Sequence, residues 1–260
     1  MTSANPRKGA TRMAEIAPDV RAALSHGEIA SATLTEGLAV DQAVLLRTVF
    51  PDLPASALRA AQAIVPLGIL KRMQGLGELL WHTLGETAFE RARGHTSDTV
   101  RGWACFMVGA MPAQPLAQRL QTIQPLADDP HFGVREWAWM ALRPHLAAQL
   151  DEAIALLTGW THAPQDNLRR FASEALRPRG VWCAHIPALK RAPQQALPIL
   201  TPLRADPARY VQDSVANWLN DAAKDQPDWV RQICQQWQQE SAHPATAYIC
   251  RRALRSQKNH

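Results

Sequence analysis

Apolar residues along this chain recur at i, i+3 or i+4 and i+7 through long stretches rich in Ala, Leu, Gln and Arg. That is the period of an amphipathic helix rather than of a strand. Glycines number 13, tyrosines two, and Val/Ile alternation is rare, so the pattern predicts an all-α chain. One segment recurs: an aliphatic residue, a mostly polar one after it, and a small or aliphatic residue four positions beyond the first. It reads VRGWACFMV from Val100, VREWAWMAL from Val134, LRRFASEAL from Leu168, VQDSVANWL from Val211 and, more loosely, ICRRALRSQ from Ile249.

The copies are spaced by 34, 34, 43 and 38 residues, which suits two-helix repeats of HEAT length stacked as a solenoid. Helical patterns at 116–127, 147–157 and 228–239 supply the first helix of each pair. Turns carrying DDP (128–130), APQD (163–166), ADP (205–207) and HP (243–244) put Pro or Asp where the repeated helices begin. Before residue 96 the pattern is weaker, with helices expected within 52–65 and around 76–92. The reading is a disordered tail over 1–12 and one HEAT-like repeat domain over 13–260, its helices divergent over 13–95.

A helix turns about 100° per residue, so the first, fifth and eighth residues of each copy form the stripe that packs on its neighbour. The opposite side carries Glu136 and Arg143, then Arg170, Glu174 and Arg177, then Asp213, Asn217 and Asn220, then Arg251 and Arg255. In a right-handed solenoid the repeated helices lie side by side, which would set these residues in a polar column along a concave face.

With 260 residues, 47% hydrophobic, the chain can bury a sizeable core. Its longest apolar run, AIVPLGIL (63–70), is too short to span a bilayer; a cytoplasmic protein without membrane contact is expected. The four cysteines, at 105, 183, 234 and 250, form no CxxC pair and have no His or Cys at ligand spacing, so neither a zinc site nor a disulfide framework is expected. No nucleophilic triad or phosphate-cradling glycine loop stands out, and His145, His162 and His185 are isolated. The net charge of +5 is unevenly placed. Residues 1–163 hold 14 Lys and Arg against 15 Asp and Glu, whereas residues 164–260 hold 14 against 8, a concentration that favours a polyanion by counterion release.

NLRRFASEALRPRGVWCAHIPALK (167–190) and DPARYVQDSVANWLNDAAKDQPDWV (206–230) closely resemble the AlkC branch of the HEAT-like AlkC/AlkD DNA alkylation-repair glycosylases. The family pattern runs approximately VRRxxSEGxRPRLPW, then YVRRSVANxLNDxxKDxP. TAYICRRALRSQKN (246–259) resembles its final helix, VREWAWMALRPHL (134–146) is similar to the preceding repeat, and the likeness covers residues 95–260. It implies a cofactor-independent, monofunctional glycosylase that excises N3-alkylated bases, typically 3-methyladenine and 3-methylcytosine, from double-stranded DNA. A monomer of the short form, without the immunoglobulin-like extension of some members, is the expectation.

Carried over by position, the active-site residues would be Glu174, Asp221 and Trp182. Arg170, Arg177, Arg179, Asn217 and Asn220 would support or contact DNA, as would Arg251, Arg252 and Arg255 near the end, and Glu136 is the looser match to a further carboxylate. The chain departs from the pattern at Ala175 (Gly in the family), Gly180-Val181 (Leu-Pro), Gln212-Asp213 (two cations) and Trp218 (a polar residue), changes that bear on affinity and substrate range.

The chemistry suits these residue types. An N3-alkylated base is cationic and leaves as a neutral molecule without an acid, so the barrier lies in the charge passing to the sugar. Carboxylates beside that sugar stabilise it and can orient water, and an indole face attracts a cation. Two other readings stay open, a non-catalytic DNA-binding paralogue and a protein-binding HEAT scaffold; the first has no use for carboxylates aimed at a polyanion, and the second none for RPR…W followed by LND. Whether the base is extruded into a pocket or left stacked is likewise open.

Overall fold

A computed structural model of the chain describes residues 7–257, and every regular element among them is helical. The chain divides into two compact units, Met1–Gln114 with Asp129–Ala141, and Pro115–Asp128 with Leu142–His260. Among the described residues no helix is long and apolar enough to cross a membrane.

The first unit contains α1 (Pro18–Ser25), α2 (Leu34–Ala39), α3 (Gln42–Val49), α4 (Ala55–Ile64), α5 (Ile69–Leu84), α6 (Glu86–Arg93) and α7 (Asp98–Ala110). The helix expected within 52–65 is α4. The pattern around 76–92 is cut in two at Gly85, whose φ of +59° is open to glycine and strained for other residues. Helices α1 to α3 are six to eight residues long, too short to display a full amphipathic period.

The second unit contains α8 (Leu116–Ala127), the latter part of α9 (Phe132–Ala148), α10 (Leu150–Trp160), α11 (Asp166–Glu174), α12 (Pro187–Arg191), α13 (Leu197–Leu200), α14 (Arg209–Ala222), α15 (Pro227–Glu240) and α16 (Pro244–Ala253). The repeated segments are α7, α9, α11, α14 and α16. The predicted stripes of the first four are buried: Val100, Ala104 and Met107; Val134, Ala138 and Ala141; Leu168, Ala172 and Ala175; Val211, Val215 and Trp218; in the looser fifth copy Ile249 and Ala253 are buried and Ser256 is exposed. The helix expected from 147 starts later, at Leu150, because α9 runs on through Pro144 to Ala148.

A lock recurs at the second residue of the repeated segments. Arg101 donates to the carbonyls of His95 and Thr96, Arg135 to Asp129 and Pro130, Arg169 to Ala163 and Pro164, and Gln212 to Asp206 and Pro207. The acceptors always lie six and five residues upstream, in the turn that launches the helix. Arg101 and Arg169 also reach forward to the Asp of the following turn, Asp129 at 2.8 Å and Asp206 at 2.6 Å. The DDP and ADP turns are thus held from both sides by long polar side chains, and the guanidinium groups among them supply charge-assisted bonds in pairs.

The tail expected over 1–12 lies for its first six residues outside the described ones. From Arg7 onward the chain is tied to α2 instead. Both Arg7 amino groups grip the Glu36 carboxylate at 2.6 and 2.7 Å, and the amides of Ala10 and Ala32 donate to the same group. The guanidinium of Arg7 holds the buried Glu36 carboxyl down at about 2, against 4.5 ordinarily. A depressed pKa adds stability that is fully present above the ordinary value and fades as pH falls towards the folded one. Glu36→Gln should therefore lower stability at pH 7 by roughly 2–3 kcal/mol, in thermal or urea unfolding. The gap to wild type should close between pH 4.5 and about 2; a gap that persists at the acid end would contradict this account.

Candidate functional site

Helices α11 and α14 pack side by side within the second unit. Glu174 is the last residue of α11, and Asp221 the penultimate residue of α14. Each is only 4% exposed, and one guanidinium lies between them. Arg177 Nη1 donates to Glu174 Oε1 at 2.8 Å, while its Nε and Nη2 stand 2.9 and 2.8 Å from Asp221 Oδ2. Ser214 Oγ donates to Glu174 Oε2 at 2.6 Å, and Arg170 Nη2 lies 3.7 Å from that oxygen. Burial by itself pushes the Glu174 carboxyl up; the charges of Arg170 and Arg177 and the Ser214 hydroxyl outweigh it and hold the group below the ordinary carboxylate range. Both Glu174 oxygens are occupied. Asp221 commits Oδ2 to Arg177, and among the described residues Oδ1 has one longer contact, 3.3 Å from Lys224 Nζ.

After α11 the chain enters a loop, 175–186, closed by the Ile186 amide donating to the Pro178 carbonyl at 3.0 Å. Arg143 holds this loop from inside. Its guanidinium, 3% exposed, donates to the carbonyls of Ala175 at 2.8 Å, Arg177 at 2.6 Å and Ala184 at 3.0 and 3.1 Å. A Cβ at Gly180 would sit 2.2 Å from Cys183 Sγ and 3.0 Å from the Arg143 guanidinium carbon, so the clamp requires glycine there. Trp182 emerges from this loop in the left-handed region, φ +62° and 52% exposed. A bulky residue in that conformation costs about 1–3 kcal/mol and persists only where its surroundings impose it. Burial pushes up the thiol of Cys183, next to it, and the charges of Arg143, Arg177 and Glu174 also act on it, so the Trp182 loop lies near Glu174.

The remaining expected residues separate into those that face out and those that are structural. Arg179 makes a two-pronged pair with Asp225 at 2.9 and 3.0 Å. Arg251 and Arg252 lie by the ring of Tyr248, and Arg255 donates to Asn217 Oδ1 at 2.9 Å. Asn220 is not on the open face: it is buried, and its amide donates to the Ala253 carbonyl at 2.9 Å and to Ser256. Gln212 likewise lies inside, in the turn lock, so the change from a cation there alters a structural bond. Arg143, placed on the open face by helical angle, is interior because the 175–186 loop folds over it. Trp218 is buried and donates to the Leu176 carbonyl at 2.9 Å, which makes that departure a packing element. Glu136 belongs to the first unit, where it accepts the Trp139 indole N–H at 2.8 Å.

Sequence reasoning missed the clamp role of Arg143, the hydroxyl of Ser214 and both tyrosines. The signal for Arg143 was available: ALRP at 141–144 repeats as ALRP at 175–178, so Arg143 occupies in its repeat the place of Arg177. A Ser–Asp–His grouping does exist in the first unit, yet it is no nucleophilic site. Ser31 is buried, and its hydroxyl donates to Asp98 at 2.8 Å while the His131 ring reaches the Ser31 carbonyl at 2.7 Å.

The profile of the DNA alkylation repair enzymes matches residues 134–255, and that of HEAT repeats residues 85–177. An uncharacterized protein of Bacillus subtilis (strain 168), YhaZ, is 38% identical over 141 residues, 54% of this chain and 38% of that protein. Among solved structures, Pseudomonas fluorescens alkylpurine DNA glycosylase AlkC bound to DNA containing an abasic site analog superposes with a TM-score of 0.66 at 28% identity, covering 83% of this chain and 60% of that one. AlkD2 from Streptococcus mutans shares the fold, with a TM-score of 0.59 at 22% identity, covering 76% of this chain and 96% of that one. The chain thus spans less than two thirds of YhaZ and of the AlkC chain.

Arg143→Ala should leave the carbonyls it serves unpaired and lower stability by about 3 kcal/mol. It should also speed tryptic cleavage after Arg179. Unfolding and proteolysis at wild-type rates would show that the loop holds itself.

Proposed function

We propose that this chain, whose residues 134–255 match the DNA alkylation repair enzymes, is a member of the AlkC/AlkD-like HEAT-repeat superfamily and a monofunctional DNA glycosylase. Its substrates would be cationic N3-alkylated bases, 3-methyladenine and 3-methylcytosine, in duplex DNA. The observation that carries this reading is the pair of carboxylates, Glu174 and Asp221, gathered on one guanidinium beside a loop that presents an exposed indole.

The residues divide the work by their bonding. Glu174 has no free oxygen and its carboxyl is held in the anionic form, so it is a weak proton acceptor; it sets the position of Arg177 and contributes negative potential. Asp221 keeps Oδ1 for a water or for the sugar. As the neutral base departs, positive charge builds on C1′ and the ring oxygen, and the fixed carboxylates stabilise it without having to reorganise. Water then adds to C1′, passing its proton to Asp221 or to solvent. Trp182 offers its π face to the cationic base or sugar, while Arg179, Arg251 and Arg255 neutralise flanking phosphates.

Release of 3-methyladenine and 3-methylcytosine from methylated duplex DNA tests this reading. Asp221→Asn should slow single-turnover release by about 100-fold or more, and Glu174→Gln by a smaller factor, with duplex binding kept in both. A folded wild type that binds duplex and releases neither base would refute the glycosylase and leave a non-catalytic DNA binder.

A further inference from the structure

Asp221 meets two cations that differ in kind. Arg177 reaches Oδ2 from inside, with a side chain 11% exposed and shared with Glu174. Lys224 reaches Oδ1 from the turn after α14, at 3.3 Å, with a side chain 45% exposed. Among the described residues this is the ion pair that Lys224 makes, since the neighbouring Asp225 is taken up by Arg179 and Lys190. An ammonium therefore rests on the carboxylate oxygen that the proposed reaction assigns to water or to the sugar. We propose that Lys224 is a resident counter-ion of Asp221, displaced when a cationic nucleoside reaches Oδ1, and that it sets how strongly the site prefers a cationic sugar to a neutral one.

The bonding separates a fixed cation from an exchangeable one. Arg177 is tied to the two carboxylates through Nε, Nη1 and Nη2, so it stays where it is. Lys224 has one longer contact, made by a point charge on a flexible four-carbon stem without the fixed fork of a guanidinium. An ion pair this exposed contributes little stability, so an incoming cation displaces the ammonium into solvent at small cost. The turn keeps it within reach, because the Lys224 amide donates to the Asp221 carbonyl at 3.3 Å. While seated, the ammonium also covers a carboxylate that would otherwise repel the phosphates of ordinary duplex.

A cation just past a helix end also suits the helix dipole. That role needs no particular carboxylate, acts on stability, and leaves discrimination between two sugars unchanged.

The inference rests on the reading that Asp221 faces a positively charged sugar, and the test keeps the two apart. Affinity of the full chain is measured for duplex carrying a cationic pyrrolidine sugar mimic and for the same duplex carrying a neutral tetrahydrofuran site. The ratio is compared among wild type, Lys224→Met, Lys224→Arg, Asp221→Asn and the double variant Asp221→Asn with Lys224→Met. Lys224→Met should raise the preference for the cation by about two- to fivefold, and Lys224→Arg, which keeps the charge, should not raise it. In the Asp221→Asn background Lys224→Met should leave the ratio as it is, because Lys224 acts through that carboxylate. A ratio unchanged or lowered by Lys224→Met, in a protein that releases 3-methyladenine, would overturn the counter-ion and leave the glycosylase reading in place. A ratio raised by Lys224→Met, in a wild type that releases no base, would uphold the counter-ion and overturn that reading. No effect of Lys224→Met together with no release would overturn both.

Discussion

The guanidinium of Arg177 is the contact on which the second unit's chemistry depends. It joins Glu174 at the end of α11 to Asp221 near the end of α14, across 44 residues of sequence. Burial alone would push the Glu174 carboxyl up; the charges of Arg170 and Arg177, with the Ser214 hydroxyl, keep it ionised, and Arg177 ties the two helix ends together. Removing any one of the three breaks at least one buried ion pair, costlier than losing a surface pair. The arrangement holds both carboxylates in place, so that on the proposed reading neither has to reorganise as positive charge forms.

Arg143 extends the same logic to the loop. Its charge is buried against carbonyl dipoles, and those bonds hold the backbone where Trp182 adopts a left-handed conformation and faces solvent. Local strain at Trp182 is offset by bonds several residues away. Equivalent positions in successive repeats have diverged, since the Arg of ALRP clamps carbonyls at 143 and bridges carboxylates at 177.

Much of this was legible in the sequence because helical period and repeat spacing report on burial. The stripes of α7, α9, α11 and α14 follow from counting, and SEALRPR with LND locates the carboxylates and their arginine. Helical angle alone failed where something outside the helix covers it. Arg143 lies under the 175–186 loop and Asn220 under the segment holding Ser256, so both are interior although their angles place them on the open face. The turn locks of Arg101, Arg135, Arg169 and Gln212 were hidden for a related reason, since a long side chain can fold back along its own turn. Glu36 gave no signal at all: its partner Arg7 lies 29 residues away, in a stretch whose composition resembles a tail.

The central claim is that Glu174 and Asp221 are fixed to stabilise positive charge on a deoxyribose. The most direct measurement compares affinity for duplex carrying a cationic pyrrolidine sugar mimic with affinity for the same duplex carrying a neutral tetrahydrofuran abasic site. Wild type should prefer the cation by at least about tenfold, equivalent to about 1.4 kcal/mol, and Asp221→Asn should lose that preference while still binding the neutral duplex. Equal affinity of wild type for the two would contradict the account.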